Sequence, residues 1–412
     1  MNLIFKNILP LIFSGSFFFS TNAQFELEIF NTDNSGISDN TVRCIEKGYL
    51  YNIWIGTDNG LNWYDGLAWT VFNTANSSIP SNEIRALEWS KQNCLWLGTT
   101  DAGVAIFNGY DWVNYNTSNS PLPSNFIRCI KEDKQGAIWI GTVEGLVRFY
   151  QNTWTVWTIA SDGLNSNNIT CINVDSDNRK YIGSINGGLI FYENNNTFTK
   201  YTILQGGIPD NSSLQIVIDN EDLPWFASPS GGLYHDNGAQ NWEIFNEANS
   251  DIISNGLTSL QMDETQTFYM GTFEHGIIHF VPPNSWEVID TANSILPENH
   301  ILSLMIDGEQ TIWAGSASMG LIRIRNLVMS NETIVNEQSI YPNPFESELT
   351  IQQNNLTSIQ ILDVAGKIVF ATTNSEIEMS TYSIDTHSLQ SGVYFLTTVA
   401  EGISSTKKII KK

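Results

Sequence analysis

Short runs of alternating apolar and polar residues follow one another along residues 24–325, separated by Gly, Asn, Ser and Asp. In the segment 83–116 there are four such runs: 83–89, 94–99, 104–107 and 112–115. Alternation of this kind, broken by Gly and Asn, predicts short β-strands joined by tight turns. Long amphipathic helices are absent from the pattern, so an all-β fold is expected.

One tetrapeptide marks an internal repeat. It recurs seven times, beginning at Trp54, Trp96, Trp139, Tyr181, Trp225, Tyr269 and Trp313. Successive starts are 42, 43, 42, 44, 44 and 44 residues apart. Four short strands in a period of this length fit one blade of a β-propeller, whereas helical repeats of similar length need amphipathic helices. The sequence therefore predicts a seven-bladed β-propeller over residues 24–325.

The outermost strand of each blade shows how the ring closes. We letter the four strands of a blade a to d in chain order, with strand d outermost. Strand d completes blades one to six, but blade seven ends near Arg325 without one. Residues 25–31 resemble the strand d segment 242–246. We expect residues 25–31 to supply the missing strand and to remove the open edge between the first and last blades.

Ten of the thirteen Trp residues occupy repeat positions in strands b or d. Packing between blades explains them, and an exposed sugar-stacking platform is the alternative. Trp63, Trp89 and Trp157 break the pattern and are the better candidates for a surface role.

Charge singles out three arginines. The chain has 43 acidic and 19 basic residues, for a net charge of -24, which disfavours nucleic acid as a partner. Within this acidic background Arg43, Arg85 and Arg128 occupy one repeat position in blades one to three. They are expected near the mouth of the central channel, where Arg can bind carboxylates bidentately. Salt bridges to turn acids such as Asp58 or Glu144 are the alternative.

Other chemistry is sparse. The five His residues lack the spacing of a metal site, no cofactor motif stands in a suitable context, and no cofactor is expected. Cys44, Cys129 and Cys171 share a repeat position on the inner strand where a small residue is required, so free thiols, Cys94 included, are expected. The Asn- and Ser-rich loops between strands d and a form a second candidate surface, although Asx turns explain their composition.

Both ends of the chain differ from the repeat. Lys6, an apolar stretch over 8–19 and the small residues before Gln24 predict a signal peptide at 1–23, with an uncleaved anchor as the alternative. A linker over 326–338 leads to alternating strands at 339–412, which suggest a small β-sandwich.

Two family resemblances follow from these residues. The segment from Asn125 through Trp139-Ile140-Gly141-Thr142 to Leu146 resembles the two-component-regulator propeller repeat, whose members often sense glycans as parts of hybrid histidine kinases. A second set of motif residues lies in the C-terminal segment: Tyr341, Pro342, Asn343, Pro344, Gly366, Lys367, Gly392, Tyr394, Lys407 and Lys408. With these residues the segment resembles the type A sorting domain of the Bacteroidetes type IX secretion system.

These resemblances imply export through the periplasm, to the medium or the outer-membrane surface, with the type IX machinery as one partner. No stable membrane insertion is expected. We expect a non-catalytic propeller that binds a ligand or a surface protein, with glycans as the leading class. The alternative is a polysaccharide lyase or hydrolase that uses one face of the ring.

Overall fold

Short strands dominate the computed structural model, which describes residues 24–48, 52–193, 197–237, 241–307, 311–327, 339–352, 356–363, 367–373, 381–400 and 403–412. The predicted signal peptide and most of the predicted linker lie outside these residues. The described part divides into two compact units at Leu327.

The first unit consists of seven four-stranded antiparallel sheets within the described residues. Blade one is β2 (Val42–Lys47), β3 (Ile53–Thr57), β4 (Gly60–Tyr64) and β5 (Trp69–Phe72). Blade two is β6 (Ile84–Trp89), β7 (Leu95–Thr99), β8 (Val104–Phe107) and β9 (Trp112–Tyr115). Blade three is β10 (Ile127–Glu132), β11 (Ile138–Thr142), β12 (Leu146–Tyr150) and β13 (Thr153–Trp157).

The remaining blades repeat this order of strands a, b, c and d. Blade four is β14 (Ile169–Val174), β15 (Lys180–Ser184), β16 (Leu189–Tyr192) and β17 (Phe198–Tyr201). Blade five is β18 (Gln215–Ile218), β19 (Pro224–Ala227), β20 (Leu233–Asp236) and β21 (Trp242–Phe245). Blade six is β22 (Leu257–Met262), β23 (Phe268–Thr272), β24 (Ile277–Val281) and β25 (Ser285–Ile289).

Blade seven combines the two ends of the unit. It consists of β26 (Ile301–Ile306), β27 (Ile312–Ser316), β28 (Leu321–Leu327) and β1 (Gln24–Phe30). Strand β1 pairs with β28 in unbroken antiparallel register, from Gln24 opposite Leu327 to Phe30 opposite Leu321. Two single helical turns, α1 (Ile159–Asp162) and α2 (Ile203–Gly206), lie in the loops that enter blades four and five. None of the described helices approaches the length that crossing a bilayer requires.

Apolar side chains join each blade to the next. One buried cluster, for example, contains Trp54 and Leu61 of blade one together with Ile84, Leu95 and Leu97 of blade two. Equivalent clusters occur at every junction among the described residues, including the one between blades seven and one. Cohesion therefore comes from sheet-to-sheet packing around the ring.

The second unit has two sheets around one core. The sheet β29 (Ser339–Tyr341), β30 (Glu348–Gln352), β33 (Thr381–Asp385) has three strands. The other, with four strands, is ordered β32 (Ile368–Thr373), β31 (Leu356–Asp363), β34 (Gly392–Ala400), β35 (Ile403–Lys411). Buried side chains of both sheets meet in a single cluster, as in a β-sandwich.

Candidate functional site

The inner strands a of the seven blades line a central channel with a cavity of about 400 Å³. Each strand a begins at the face that carries the d–a loops and b–c turns, which we call the upper face. It ends at the face with the a–b and c–d turns, the lower face. Charged side chains line the channel at two levels, one near each face.

A β-bulge places the three predicted arginines at the upper level. In blade three Ile127 pairs with Thr142 and Cys129 pairs with Gly141, so the intervening Arg128 is the extra residue of the bulge. Arg43 and Arg85 occupy the same position in their blades. Because a bulge leaves its extra residue unpaired and redirects the side chain, all three arginines line the channel.

The positive charge of Arg43 is already paired with the carboxylate of Asp58. Its Nε donates to Asp58 Oδ1 over 2.7 Å and its Nη2 to Asp58 Oδ2 over 2.6 Å. This bidentate hydrogen bonding with Asp58 raises the pKa of Arg43. For this residue the structure shows the salt bridge that the sequence offered as the alternative.

Arg85 and Arg128 lack such a partner. Among the described residues no carboxylate pairs with either guanidinium, and both Nε atoms are buried without a hydrogen bond. Their Cζ atoms lie 5.9 Å and 5.1 Å from the ring centroid of Phe126. Burial lowers the pKa of both, and nearby Arg43 lowers that of Arg85 further. The upper level thus holds two cations with unused hydrogen-bond donors.

A second charged level lies toward the lower face, and the sequence analysis missed it. Lys131 Nζ lies 3.0 Å from Glu88 Oε2, and Glu88 Oε1 accepts from the backbone N–H of Glu132 over 2.9 Å. Glu46 Oε1 accepts from the backbone N–H of Trp89 in the next blade over 3.3 Å. Burial, together with the charge of Glu88, raises the pKa of Glu46 to about 8.

The sequence did hold a signal for this level. Glu46, Glu88 and Lys131 pair with the first residue of the tetrapeptide in strand b, so they share one repeat position. Blades five and seven have Val217 and Met305 there. Blades four and six have Asn173 and Gln261 at the same position. Ionisable groups in three blades, at an innermost position that is uncharged in the other four, indicate a charged channel.

The three irregular tryptophans do not join the arginines. Trp54 has Trp63 and Trp89 as neighbours at centroid distances of 6.3 Å and 6.4 Å. Trp157 stacks on Trp139 at 5.3 Å. All three are half-buried against the clusters between blades, which is a packing role and not a shared platform.

The thiols and histidines are also engaged in packing. All four Cys are free, and burial raises the pKa of Cys44 to about 12 and that of Cys171 to about 11. The His235 ring stacks on Trp225 at 3.7 Å, with Nε2 3.2 Å from Glu243 Oε2. Among the described residues no group of His, Cys, Asp and Glu could hold a metal ion.

One asparagine per blade organises the d–a loops. Asn82 Oδ1 accepts from the Thr74 N–H, and Asn125 Oδ1 accepts from the Thr117 N–H, each over 2.9 Å. The same bond across eight residues is made by Asn40, Asn167, Asn211, Asn255 and Asn299. The polar composition of these loops therefore has a structural cause.

In the second unit the predicted sorting residues divide between fold and surface. Asn343 Oδ1 accepts from the Ile410 N–H over 2.9 Å, and its Nδ2 donates to the Lys408 carbonyl over 3.1 Å, so the Tyr341–Pro344 turn holds the last strand. The Tyr394 hydroxyl donates to the Gln390 carbonyl over 2.9 Å. Lys367, Lys407 and Lys408 are exposed, as is Gly392; Gly366 lies outside the described residues.

Family models match both units. Residues 339–412 match the secretion system C-terminal sorting domain, and residues 78–101 and 121–144 match the two component regulator propeller. The chain carries a regulator-type propeller and a type IX sorting domain. Both predicted resemblances are confirmed, and the sorting domain indicates secretion and attachment at the cell surface. No curated protein matches the chain in sequence.

Solved structures share the fold of the regulator-type propeller. The extracellular domain of the hybrid two component system BT3049 from B. thetaiotaomicron is 17% identical, with a TM-score of 0.63 over 93% of this chain and 57% of that one. PorZ, an essential surface component of the type IX secretion system of Porphyromonas gingivalis, is 15% identical, with a TM-score of 0.57 over 93% and 60%. The chain thus spans less than two thirds of these proteins.

A third similar structure is an enzyme. Virginiamycin B lyase from Staphylococcus aureus is 15% identical, with a TM-score of 0.61 over 73% of this chain and 99% of that one. At this identity the likeness concerns the fold alone, because unrelated activities share such folds. The all-β prediction of a propeller with a C-terminal domain is confirmed.

Proposed function

We propose that this exported propeller is a non-catalytic binding protein that takes a carboxylate-bearing ligand, such as an acidic glycan, at the upper mouth of its channel. The observation that carries the proposal is the state of Arg85 and Arg128, whose Nε donors are buried and unbonded. A guanidinium that lines the channel without a carboxylate partner keeps donors available, and a ligand carboxylate at the channel mouth would accept hydrogen bonds from them. Arg43 contributes less, because Asp58 already occupies it.

The planar face of Phe126 supports the same ligand class. Both guanidiniums lie over this ring, which restricts their orientation at the channel mouth. A uronic acid unit presents a carboxylate on a compact ring, and the channel cavity falls within the size of small-ligand sites.

Titration with oligogalacturonate tests the proposal. Replacing both Arg85 and Arg128 by Ala should weaken binding at least about tenfold, since hydrogen bonds to charged groups are individually strong. The Arg179→Ala/Arg325→Ala variant removes equal charge from residues that pair with Asp175 and Glu26 and should leave affinity unchanged. Equal losses in the two variants, or no binding of acidic glycans to the wild type, would contradict the proposal.

The lower level of the channel favours one alternative, a lyase or hydrolase of acidic polysaccharides. Glu46 combines a raised pKa with a position in the channel wall, a combination common in catalytic groups. The same titrations, followed for unsaturated uronate or new reducing ends, separate the two functions. Product that forms in the wild type and not in the Glu46→Gln variant would establish the enzyme.

A further inference from the structure

A separate hollow of about 330 Å³ lies between blades two and three, away from the channel. Its walls come from the a–b turns of both blades and the c–d turn of blade three, so it opens toward the lower face. In a chain of net charge -24, no Asp, Glu, Lys or Arg lines it. The lining of the hollow is therefore uncharged, and the Arg148 guanidinium, 4.9 Å from the Tyr150 ring centroid, borders an adjoining depression instead.

Four carboxamides border this hollow: those of Gln92, Gln135, Gln151 and Asn152. All four side chains are exposed, and within the described part of the chain none is bonded to another protein group. Each offers both a donor and an acceptor. Phe149 and Tyr150 add half-buried aromatic surface to the same hollow. Amides that can donate and accept, beside an apolar ring surface, suit a ligand with hydroxyls and no charge.

Two of these amides are presented by a two-residue hairpin turn with a left-handed backbone. Gln151 has a φ of 49° and Asn152 a φ of 60°, both in the left-handed region. The corresponding turns of blades one and two contain Gly66 and Gly109 at positive φ. A two-residue hairpin turn needs positive φ at both positions and favours Asn or Gly there, so Gln151 is the unusual residue, and glycine would adopt this conformation at a lower energetic cost.

We propose that this hollow is a second binding site, which takes an uncharged saccharide unit independently of the channel mouth. Its volume lies at the lower end of the range for small-ligand sites, which suits a short stretch of a glycan chain. The site goes beyond the acidic-ligand function proposed above, because it lies near the opposite face and contains none of its residues.

Glycine at both turn positions removes the ligand contacts and still adopts the left-handed backbone of the turn. Gln151→Gly/Asn152→Gly deletes both amides and relieves the left-handed backbone. Gln266 is a matched control, since it has a φ of 64° in the a–b turn of blade six and does not border the hollow. Gln266→Gly relieves the same kind of strain at a distance from the site.

Cellohexaose, xylohexaose, mannohexaose and laminarihexaose are the probes, measured by calorimetry and saturation-transfer NMR on the full chain. At least one should bind, and Gln151→Gly/Asn152→Gly should weaken it at least about tenfold, because two hydrogen-bonding groups are lost. Gln266→Gly and Arg85→Ala/Arg128→Ala should leave that affinity unchanged. Because Arg85→Ala/Arg128→Ala affects only the channel mouth, it distinguishes a wrong proposal for the hollow from a wrong proposal for the channel.

Three results would overturn the proposal. The first is the absence of binding by all four oligosaccharides. The second is an affinity that Gln151→Gly/Asn152→Gly leaves intact or that Gln266→Gly reduces equally. The third is selective capture of charged oligosaccharides or peptides at the hollow.

Discussion

Three residues of the tetrapeptide Trp139-Ile140-Gly141-Thr142 have distinct physical tasks. Trp139 is almost fully buried between blades, and its Nε1 donates to Asp133 Oδ2 in the a–b turn over 3.0 Å. The Thr142 hydroxyl donates to the Gly145 carbonyl over 2.9 Å and fixes the b–c turn. Sequence reasoning identified Trp139 as a packing residue, and the bond to Asp133 explains the acidic turn that accompanies it.

The glycine of the tetrapeptide allows the next blade to approach. A Cβ on Gly141 would clash with the Cys129 sulfur and would lie 2.8 Å from Ile169 Cγ2 of blade four. Five of the seven tetrapeptides pair Gly in this way with a β-branched residue of the following strand a. Blade five has Ala227 instead, and the residue that follows in blade six is Leu257, which is unbranched at Cβ. Gly183 of blade four is kept opposite Ser213 of blade five, which is also unbranched at Cβ, so the exchange between blades five and six is a single instance that crowding explains.

Gly141→Ala should reduce the free energy of unfolding by about 1–3 kcal/mol, the usual cost of overpacking a core. Ile169→Leu on the same background copies the pairing of blade five and should recover part of the loss. Urea unfolding measures both changes. An unchanged midpoint in the single variant would contradict the steric explanation.

At the scale of single elements, strand a shows where sequence analysis stops. The alignment of Arg43, Arg85 and Arg128 was visible in the repeat, but the bulge that directs them to the channel was not. A bulge is one unpaired residue, and its neighbours Val42, Ile84 and Ile127 look like ordinary strand residues. Only the pairing with strand b reveals the shift. Whether Asp58 reaches Arg43 and leaves Arg85 unpaired depends on turn geometry that a single sequence does not contain.

The lower level of strand a gives the protein a predictable response to pH. In the folded state the pKa of Glu46 is raised from 4.5 to about 8, because burial and Glu88 oppose its charge, while Lys131 opposes the shift. Between these two values the unfolded chain releases a proton that the folded chain retains. The free energy of unfolding that Glu46 contributes is therefore fully present below about pH 4.5 and is lost as the pH rises toward 8. Above about pH 8 it changes no further.

Glu46→Gln keeps a side-chain oxygen that can accept from the Trp89 N–H and removes the ionisable carboxyl group. Its stability should decline less than that of the wild type between pH 5 and pH 8, with the variant the more stable of the two at about pH 9. Urea unfolding across this pH range measures the difference. Glu264→Gln, at an exposed a–b turn of blade six, is the control and should follow the wild type. Parallel curves for all three proteins would show that Glu46 ionises normally.

For the whole molecule, the repeat predicts the fold well because every blade carries the same signals. Seven copies compensate for degenerate ones, such as the tetrapeptide that begins at Trp225, where Pro224 opens the strand and Ala227 replaces Gly. The neutral hollow between blades two and three could not be predicted. It depends on turns of two blades meeting in space, and the turn residues of blade three, Gln151 and Asn152, carry no repeat signature.

Closure of the ring depends on strand β1, which ties residues 24–30 to β28, nearly three hundred positions further along the chain. Phe30 is buried among Tyr64, Trp69 and Trp313, so β1 also contributes to the junction between blades seven and one. Salt bridges from Glu28 to Arg323 and from Glu26 to Arg325 connect β1 to β28 across the sheet. Without β1, strand β28 becomes an open edge.

A chain that begins at Asn31 lacks β1 and no other strand, and should unfold with lower cooperativity than a chain that begins at Gln24. Blade seven loses its outer strand and part of its packing on blade one, so it can open before the other blades do. In the shortened chain, hydrogen exchange should show that the amides of β26–β28 lose protection first. The amides of β10–β13, on the far side of the ring, should stay protected. Equal protection of blade seven in the two chains would mean that the inner three strands close the ring unaided and that β1 serves only to cover an edge.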